Sequence, residues 1–216
     1  MMSQILFISG IDTDAGKSYV TGWLARQMMN EGKRVITQKF IQTGNHEYSE
    51  DIDLHRRIMG TGYLPEDTDH TTAPIIYSYP ASPQLAAELD RRPIDLGLIE
   101  QSTKKLTEKY DVVLIEGAGG LMVPLTDEYL TIDYPASHNL PIVLVTNGIL
   151  GSINHTVLSL EAIKSHSLTL HSVVYNEAFD SKDKVIAADT RNFIRRYLQR
   201  EFPATELRFC PKIELP

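Results

Sequence analysis

The chain's 216 residues, 42% hydrophobic and 23% charged, suit one globular domain over residues 1–216 with a full-sized core, and exclude disorder and fibrous repeats. A formal net charge of -7 excludes a broad basic face for nucleic acid or anionic membrane, so any phosphate binding must be focal. The single cysteine, Cys210, excludes an intrachain disulfide and a multi-cysteine metal site, and reads as structural or incidental.

The N-terminal MMSQILFISG has a short apolar run and no basic leader, which reads as a buried strand rather than a signal peptide. No stretch approaches the roughly 20 apolar residues of a membrane span. A cytoplasmic protein acting on water-soluble substrates is expected. Strand-like apolar runs at residues 5–9, 34–38, 111–115, 142–146 and 172–175 alternate with helical patterns at 17–30, 82–89, 96–109, 154–166 and 182–199. That alternation predicts β/α/β units. The runs VVLIE and PIVLVTN are apolar almost throughout, as in strands covered on both sides. The expected class is therefore α/β, a doubly wound, mainly parallel sheet with helices on both faces. Gly32 suits a stop just past the first helix. Residues 42–82, rich in Gly, Pro, Thr, Asp and Tyr, form the least regular stretch, the kind of connection in which ligand sites lie.

The first strand runs into Gly10-Ile11-Asp12-Thr13-Asp14-Ala15-Gly16-Lys17-Ser18, and a helical pattern follows at once. Such a strand, loop and helix form a phosphate cradle. Glycines let the backbone approach an anion, the helix N-terminus offers free amides, Lys17 adds a full charge, and Ser18 offers a hydroxyl to Mg2+. Gly10 and Gly16 enclose one residue more than the ordinary P-loop, so this is a variant. The bland alternative is a chance Gly-Lys-Ser on a surface turn. A second acidic strand end, Glu116-Gly117-Ala118-Gly119-Gly120, places a carboxylate where P-loop proteins hold Mg2+, unless Glu116 merely caps glycine amides.

Three further pieces narrow the reading. Lys39 and Thr43-Gly44 follow the second strand, Ser82-Pro83 opens a helix, and Gly151-Ser152-Ile153-Asn154-His155 follows a later strand. In this order, with the variant loop and the Glu-Gly-Ala-Gly-Gly turn, the chain resembles dethiobiotin synthetases over most of its length. The resemblance implies a reaction of 7,8-diaminopelargonate, CO2 and ATP. One amine takes up CO2 as a carbamate, the carbamate oxygen attacks the γ-phosphate, and the second amine displaces phosphate to close a cyclic urea, leaving ADP.

The resemblance implies Lys39, Lys17 and Thr13 as catalytic residues, and Asp14, Ala15, Gly16, Lys17, Ser18, Tyr19, Glu116 and Asn176 around ATP, with Asn176 reading the adenine. Asp14 stands where the family often has Glu. It implies Thr13, Lys39, Thr43, Gly151, Ser152, Ile153 and Asn154 around the diamine, with the last four meeting its carboxylate from the neighbouring subunit of a homodimer. Ser18, Asp51 and Glu116 are implied around Mg2+. Asp51 is taken over Asp53 on motif alignment, and a cap of a helix over residues 51–59 is its alternative reading. Ser152 reads alternatively as a simple N-cap, and Asn176 as a turn former. The C-terminal FCPKIELP stops before the ribose-contacting loop the family leads one to expect. Glu214 could supply part of that contact or be a solvated tail residue.

The seven histidines show no paired zinc spacing, and surface or packing roles are expected of them. Asp51 and His55 stand four apart, which reads as an exposed hydrogen bond as readily as a metal pair. Trp23, Met28 and Met29 are expected in or near the core. A partner-sorting ATPase would need a second lysine at the start of the loop, where Ile11 and Asp12 stand. No Asn-Lys-x-Asp guanine-reading motif follows, and an amidotransferase-coupled synthetase would need a glutaminase portion that 216 residues do not hold. A nucleotide-binding module without catalysis is the remaining alternative.

Overall fold

The computed structural model describes residues 3–213. Its elements, in chain order, are β1 (Gln4–Gly10), α1 (Lys17–Asn30), β2 (Val35–Lys39), β3 (Gln42–Thr43), α2 (Glu50–Met59), α3 (Pro65–Thr68), β4 (Ile76–Tyr77), α4 (Pro83–Leu89), α5 (Leu96–Lys109), β5 (Val112–Gly120), α6 (Asp133–Ser137), β6 (Ile142–Thr146), α7 (Ser152–Ser165), β7 (Leu170–Asn176), α8 (Lys184–Glu201) and β8 (Glu206–Cys210). The main sheet has the order β2-β5-β1-β6-β7-β8, and every pair in it is parallel. The chain starts at β1 near the centre, crosses to the edge at β2, returns to β5 beside β1, and then works outward on the other side through β6, β7 and β8, which makes the sheet doubly wound.

Period-two alternation sorts the strand residues onto two cores. Leu6, Ile8, Leu114 and Val174 pack with Val20, Trp23, Leu24 and Met28 of α1 and Ile58 of α2. Phe7, Ile115, Leu144 and Val173 face the other way, onto Ile99 and Leu106 of α5, Leu160 and Ile163 of α7, and Ile194 and Leu198 of α8. The expected two-sided cover is therefore present. Trp23 and Met28 are in the core as expected, with Met29 packed beside them. Cys210 is buried at the end of β8, where burial pushes its thiol up to about 12.

Helices α1 and α5 and strand β6 have the predicted bounds, and the other predicted elements differ by up to five residues at their ends. At the end of α1, Gly32 takes a φ of +85°, and its amide donates to the Met29 carbonyl at 2.9 Å. Strand β8 was not anticipated, because its sequence ELRFC alternates polar and apolar residues as an edge strand does. The stretch of residues 42–82 is more regular than its composition suggests. It holds α2, α3 and a small parallel pair, β3 with β4. Among the described residues, no helix is long and apolar enough to cross a membrane.

Candidate active site

The carboxyl ends of β1, β2 and β5 open onto one cleft of about 410 Å³, whose lining includes Thr13, Gly16, Lys17, Ser18, Lys39 and Glu116. Strand register explains the grouping. Lys39 and Glu116 face each other across the β2–β5 ladder, and Ile8 of β1 pairs with Glu116 from the other side. The loop after β1 therefore folds over both.

That loop makes a short 3-10 turn at Thr13–Ala15, capped by the Asp12 side chain, and then passes into α1 through Gly16 at φ +80°. A Cβ on Gly16 would stand 2.2 Å from Asn176 Nδ2 and 3.1 Å from the Phe179 ring. Only glycine fits both the backbone and the space. Asn176 is fully buried behind the loop, and its Nδ2 donates to the Ala15 carbonyl at 3.3 Å. Its Oδ1 accepts from Ala178 N at 3.1 Å, so the turn-forming reading holds. An amide carries two N–H donors, so this bond occupies one of them.

Lys17 Nζ donates to the carbonyls of Asp12 and Thr13 at 3.1 Å each. Burial lowers its pKa to about 8, and repulsion from Lys39 adds to the effect, against the pull of Glu116, Asp51 and Asp12. Around Lys17, burial and the Lys39 charge thus outweigh the neighbouring carboxylates. Lys39 has the opposite balance. Its ammonium lies 2.5 Å from Asp51 Oδ2 and 2.8 Å from Glu116 Oε1, and it donates to the Gly117 carbonyl at 3.2 Å. Burial works to discharge it, but Glu116 and Asp51 outweigh burial and hold its pKa above the ordinary lysine value. Burial likewise works to protonate Glu116, while Lys39 and His55 hold it well below the usual carboxylate range.

Ser18 Oγ stands 2.7 Å from Asp51 Oδ1 and 2.8 Å from Glu116 Oε1. One hydroxyl and two carboxylates converge at the start of α1, an all-oxygen set of the kind that hard divalent cations take. Among the described residues, no group of three His, Cys, Asp or Glu could hold a metal ion, so the serine hydroxyl is needed to complete such a set. Asp51 does not cap α2. Ser49 does, accepting from Ile52 N, which leaves the Asp51 carboxylate for Ser18 and Lys39. Asp53 instead accepts from the exposed Tyr63 hydroxyl at 3.2 Å.

His55 corrects the sequence-based reading of an exposed bond to Asp51. It is fully buried, with Nε2 at 2.6 Å from Glu116 Oε2 and Nδ1 at 3.0 Å from Thr37 Oγ1. Arg56 Nη1 donates to the same threonine oxygen at 2.8 Å, and Arg56 forms a two-pronged pair with Asp67 at 2.8 Å in each contact. The four-residue spacing of Asp51 and His55 was the available signal. What it lacked was Glu116, 61 residues further on.

Thr43 and Asp14 also line the cleft, as does Tyr19. The Tyr19 hydroxyl lies 3.3 Å from the Pro211 carbonyl, so the C-terminal segment runs beside the loop. Glu214 lies outside the described residues. Gly151, Ser152 and Ile153 line a separate hollow with Val185 and Ile186, so one chain does not bring them to Lys39. Gly151, at φ +98°, is the cap residue of α7. Ser152 is buried, and among the described residues its hydroxyl has no hydrogen-bond partner, so the N-cap reading of Ser152 does not hold.

A doubly wound parallel sheet with a glycine-lysine-serine cradle at its carboxyl edge defines a P-loop nucleotide-binding protein. A family model described as an AAA domain matches residues 4–205. The chain is similar in fold to a putative plasmid partition protein from Borrelia burgdorferi bound to AMPPNP, with a TM-score of 0.54 at 15% identity, covering 100% of this chain and 88% of that one. It is also similar to the signal recognition particle receptor FtsY from Elizabethkingia anophelis in complex with GDP, with a TM-score of 0.55 at 13% identity, covering 95% of this chain and 56% of that one.

Sequence relatives are much nearer. The chain is 48% identical over 204 residues to the ATP-dependent dethiobiotin synthetase BioD 2 of Pasteurella multocida, covering 94% of this chain and 95% of the relative. It is 49% identical over 200 residues to the ATP-dependent dethiobiotin synthetase BioD of Chlorobaculum tepidum, covering 93% and 83%. The chain belongs to the ATP-dependent dethiobiotin synthetase family.

Proposed function

We propose that this chain is a dethiobiotin synthetase that carboxylates 7,8-diaminopelargonate with CO2 and closes the ureido ring at the expense of ATP. The observation that carries this reading is the convergence of two buried lysines, Lys17 and Lys39, on one cleft in a chain of this family. The reaction must bring a carbamate and a triphosphate together in line, and two anions approach only where fixed positive charge offsets their repulsion. Lys17 and the loop amides serve the triphosphate. Lys39, kept charged by Glu116 and Asp51, meets the carbamate oxygen as it attacks the γ-phosphate. Thr13, in the same loop, positions the carbamate or diamine, with Thr43 in the lining of the same cleft.

Ser18, Asp51 and Glu116 are the residues that would hold Mg2+, which neutralises polyphosphate charge when bound. Asp14 to Tyr19 wrap the phosphates, and Asn176 has an N–H left for the base. Gly151 to Asn154 serve the diamine's carboxylate from the neighbouring subunit of a homodimer, since their own chain holds them away from Lys39. A cytoplasmic location follows from water-soluble substrates. The direct test is ADP release by the purified protein with MgATP and bicarbonate, with and without 7,8-diaminopelargonate. Diamine-dependent ADP is expected, and ADP release indifferent to the diamine would overturn the reading.

A further inference from the structure

Glu116 has two carboxylate oxygens with different duties. Oε1 meets Ser18 at 2.8 Å and Lys39 at 2.8 Å, on the cleft side. Among the described residues Oε2 meets only His55, at 2.6 Å, and both side chains are 0% exposed. A carboxylate oxygen accepts and cannot donate when ionised, so His55 Nε2 is the donor. The imidazole is itself held from behind by Thr37 Oγ1 at 3.0 Å, and Arg56 Nη1 fixes that hydroxyl at 2.8 Å. The row from Glu116 through His55, Thr37 and Arg56 to Asp67 is continuous and buried. It leaves the Glu116 carboxylate a single orientation.

We propose that His55 is a positioning residue: it holds Oε2 so that Glu116 presents only Oε1 to the cation and to Lys39. Asp51 and His55 stand one turn apart on α2, four residues being the spacing that brings side chains onto one helix face. One helix thus delivers a carboxylate to the cation site and the clamp for the opposing carboxylate. Without the imidazole, Oε2 would be buried with no donor. The carboxylate would then turn to recover a second contact from Ser18 or Lys39, spoiling the oxygen set those groups form with Asp51.

The inference rests on the Mg2+ reading of Ser18, Asp51 and Glu116, and the test separates the two. ATP binding to the full chain is measured by calorimetry in excess Mg2+ and in EDTA, with melting temperatures, for wild type, His55→Leu and His55→Gln. Wild type should bind ATP more tightly with Mg2+. His55→Leu should lose at least about tenfold of that gain while its affinity in EDTA stays within about threefold. His55→Gln, which keeps an N–H donor at similar reach, should recover most of the loss. If His55→Leu does not fold, Thr37→Val, which unseats the ring without removing it, must show the same selective loss. A folded His55→Leu with its Mg2+-dependent gain intact would overturn the proposal, as would an equal loss in Mg2+ and EDTA. A wild type indifferent to Mg2+ would remove the metal reading and the proposal with it.

Discussion

Lys39 Nζ and Glu116 Oε1 stand 2.8 Å apart, at positions that face each other across the ladder of two neighbouring strands. The lysine is 6% exposed and the glutamate 0%, so their charges are matched against each other and not against water. Replacing Lys39 with Gln should lower kcat by about a hundredfold, roughly 3 kcal/mol in the barrier, while leaving appreciable ATP binding. Steady-state turnover and ATP calorimetry check this. Unaltered turnover would remove Lys39 from the mechanism. The same change leaves Glu116 and Asp51 without their ammonium, so Mg2+ should raise the melting temperature of Lys39→Gln more than that of wild type.

Asp51 and Asp53 differ by two residues and by what they touch. Asp51 is bonded to Ser18 at 2.7 Å, whereas Asp53 reaches the exposed Tyr63 hydroxyl at 3.2 Å. Asp51→Asn should weaken Mg2+-dependent ATP binding by at least about tenfold, and Asp53→Asn should change it by less than about threefold. Titration of each variant with Mg2+ at fixed ATP distinguishes them.

Gly16→Ala should be far more damaging than Gly32→Ala. Both glycines have positive φ, +80° and +85°, but a Cβ on Gly32 meets nothing within 4 Å while one on Gly16 reaches Asn176 Nδ2 at 2.2 Å. The shared backbone term is about 1 kcal/mol. Only Gly16→Ala must also displace buried Asn176 and the Phe179 ring, so it alone should lose ATP binding by more than about tenfold. Urea melts give the first quantity and calorimetry the second.

Arg56 and Asp67 form a buried pair, each side chain 1% exposed. Burial works to protonate Asp67, but its bonds from Arg56 and the arginine charge prevail and lower its pKa. A carboxyl with a lowered folded-state pKa adds stability above its unfolded value, and that stability is lost as pH falls through the folded one. Wild type should therefore weaken steadily between about pH 5 and pH 2, and Asp67→Asn should weaken less over that window. At neutral pH Asp67→Asn should cost about 3 kcal/mol, because the arginine is left buried without its partner. Urea unfolding across pH reads both.

Much of this molecule was legible in its sequence for a specific reason: α1 and α5 each carry their own periodicity and their own ends. The loop of residues 10–18 and the turn after Glu116 were equally local signals, and the structure brings both to one cleft. What escaped depends on distant partners. His55 lies on the buried face of an amphipathic helix, and its bond to Glu116 follows only from where β5 puts that carboxylate. Ser49, not Asp51, caps α2 because the helix begins at Glu50, ahead of the start that the acidic cluster suggests. Strand β8 is an edge, so its mixed ELRFC pattern resembles a tail until β7 pairs with it, Ser172 to Glu206 through Asn176 to Cys210.

If Lys17 and Lys39 offset the charge of a carbamate attacking the γ-phosphate, the carbon of bicarbonate must end in a closed ring. The most direct measurement follows 13C-labelled bicarbonate by NMR and mass spectrometry, with the purified chain, MgATP and 7,8-diaminopelargonate. The label should enter a cyclic urea carbonyl, one ADP should appear for each ring, and neither should form without the diamine. Label that stays in bicarbonate while ATP is consumed would contradict the account.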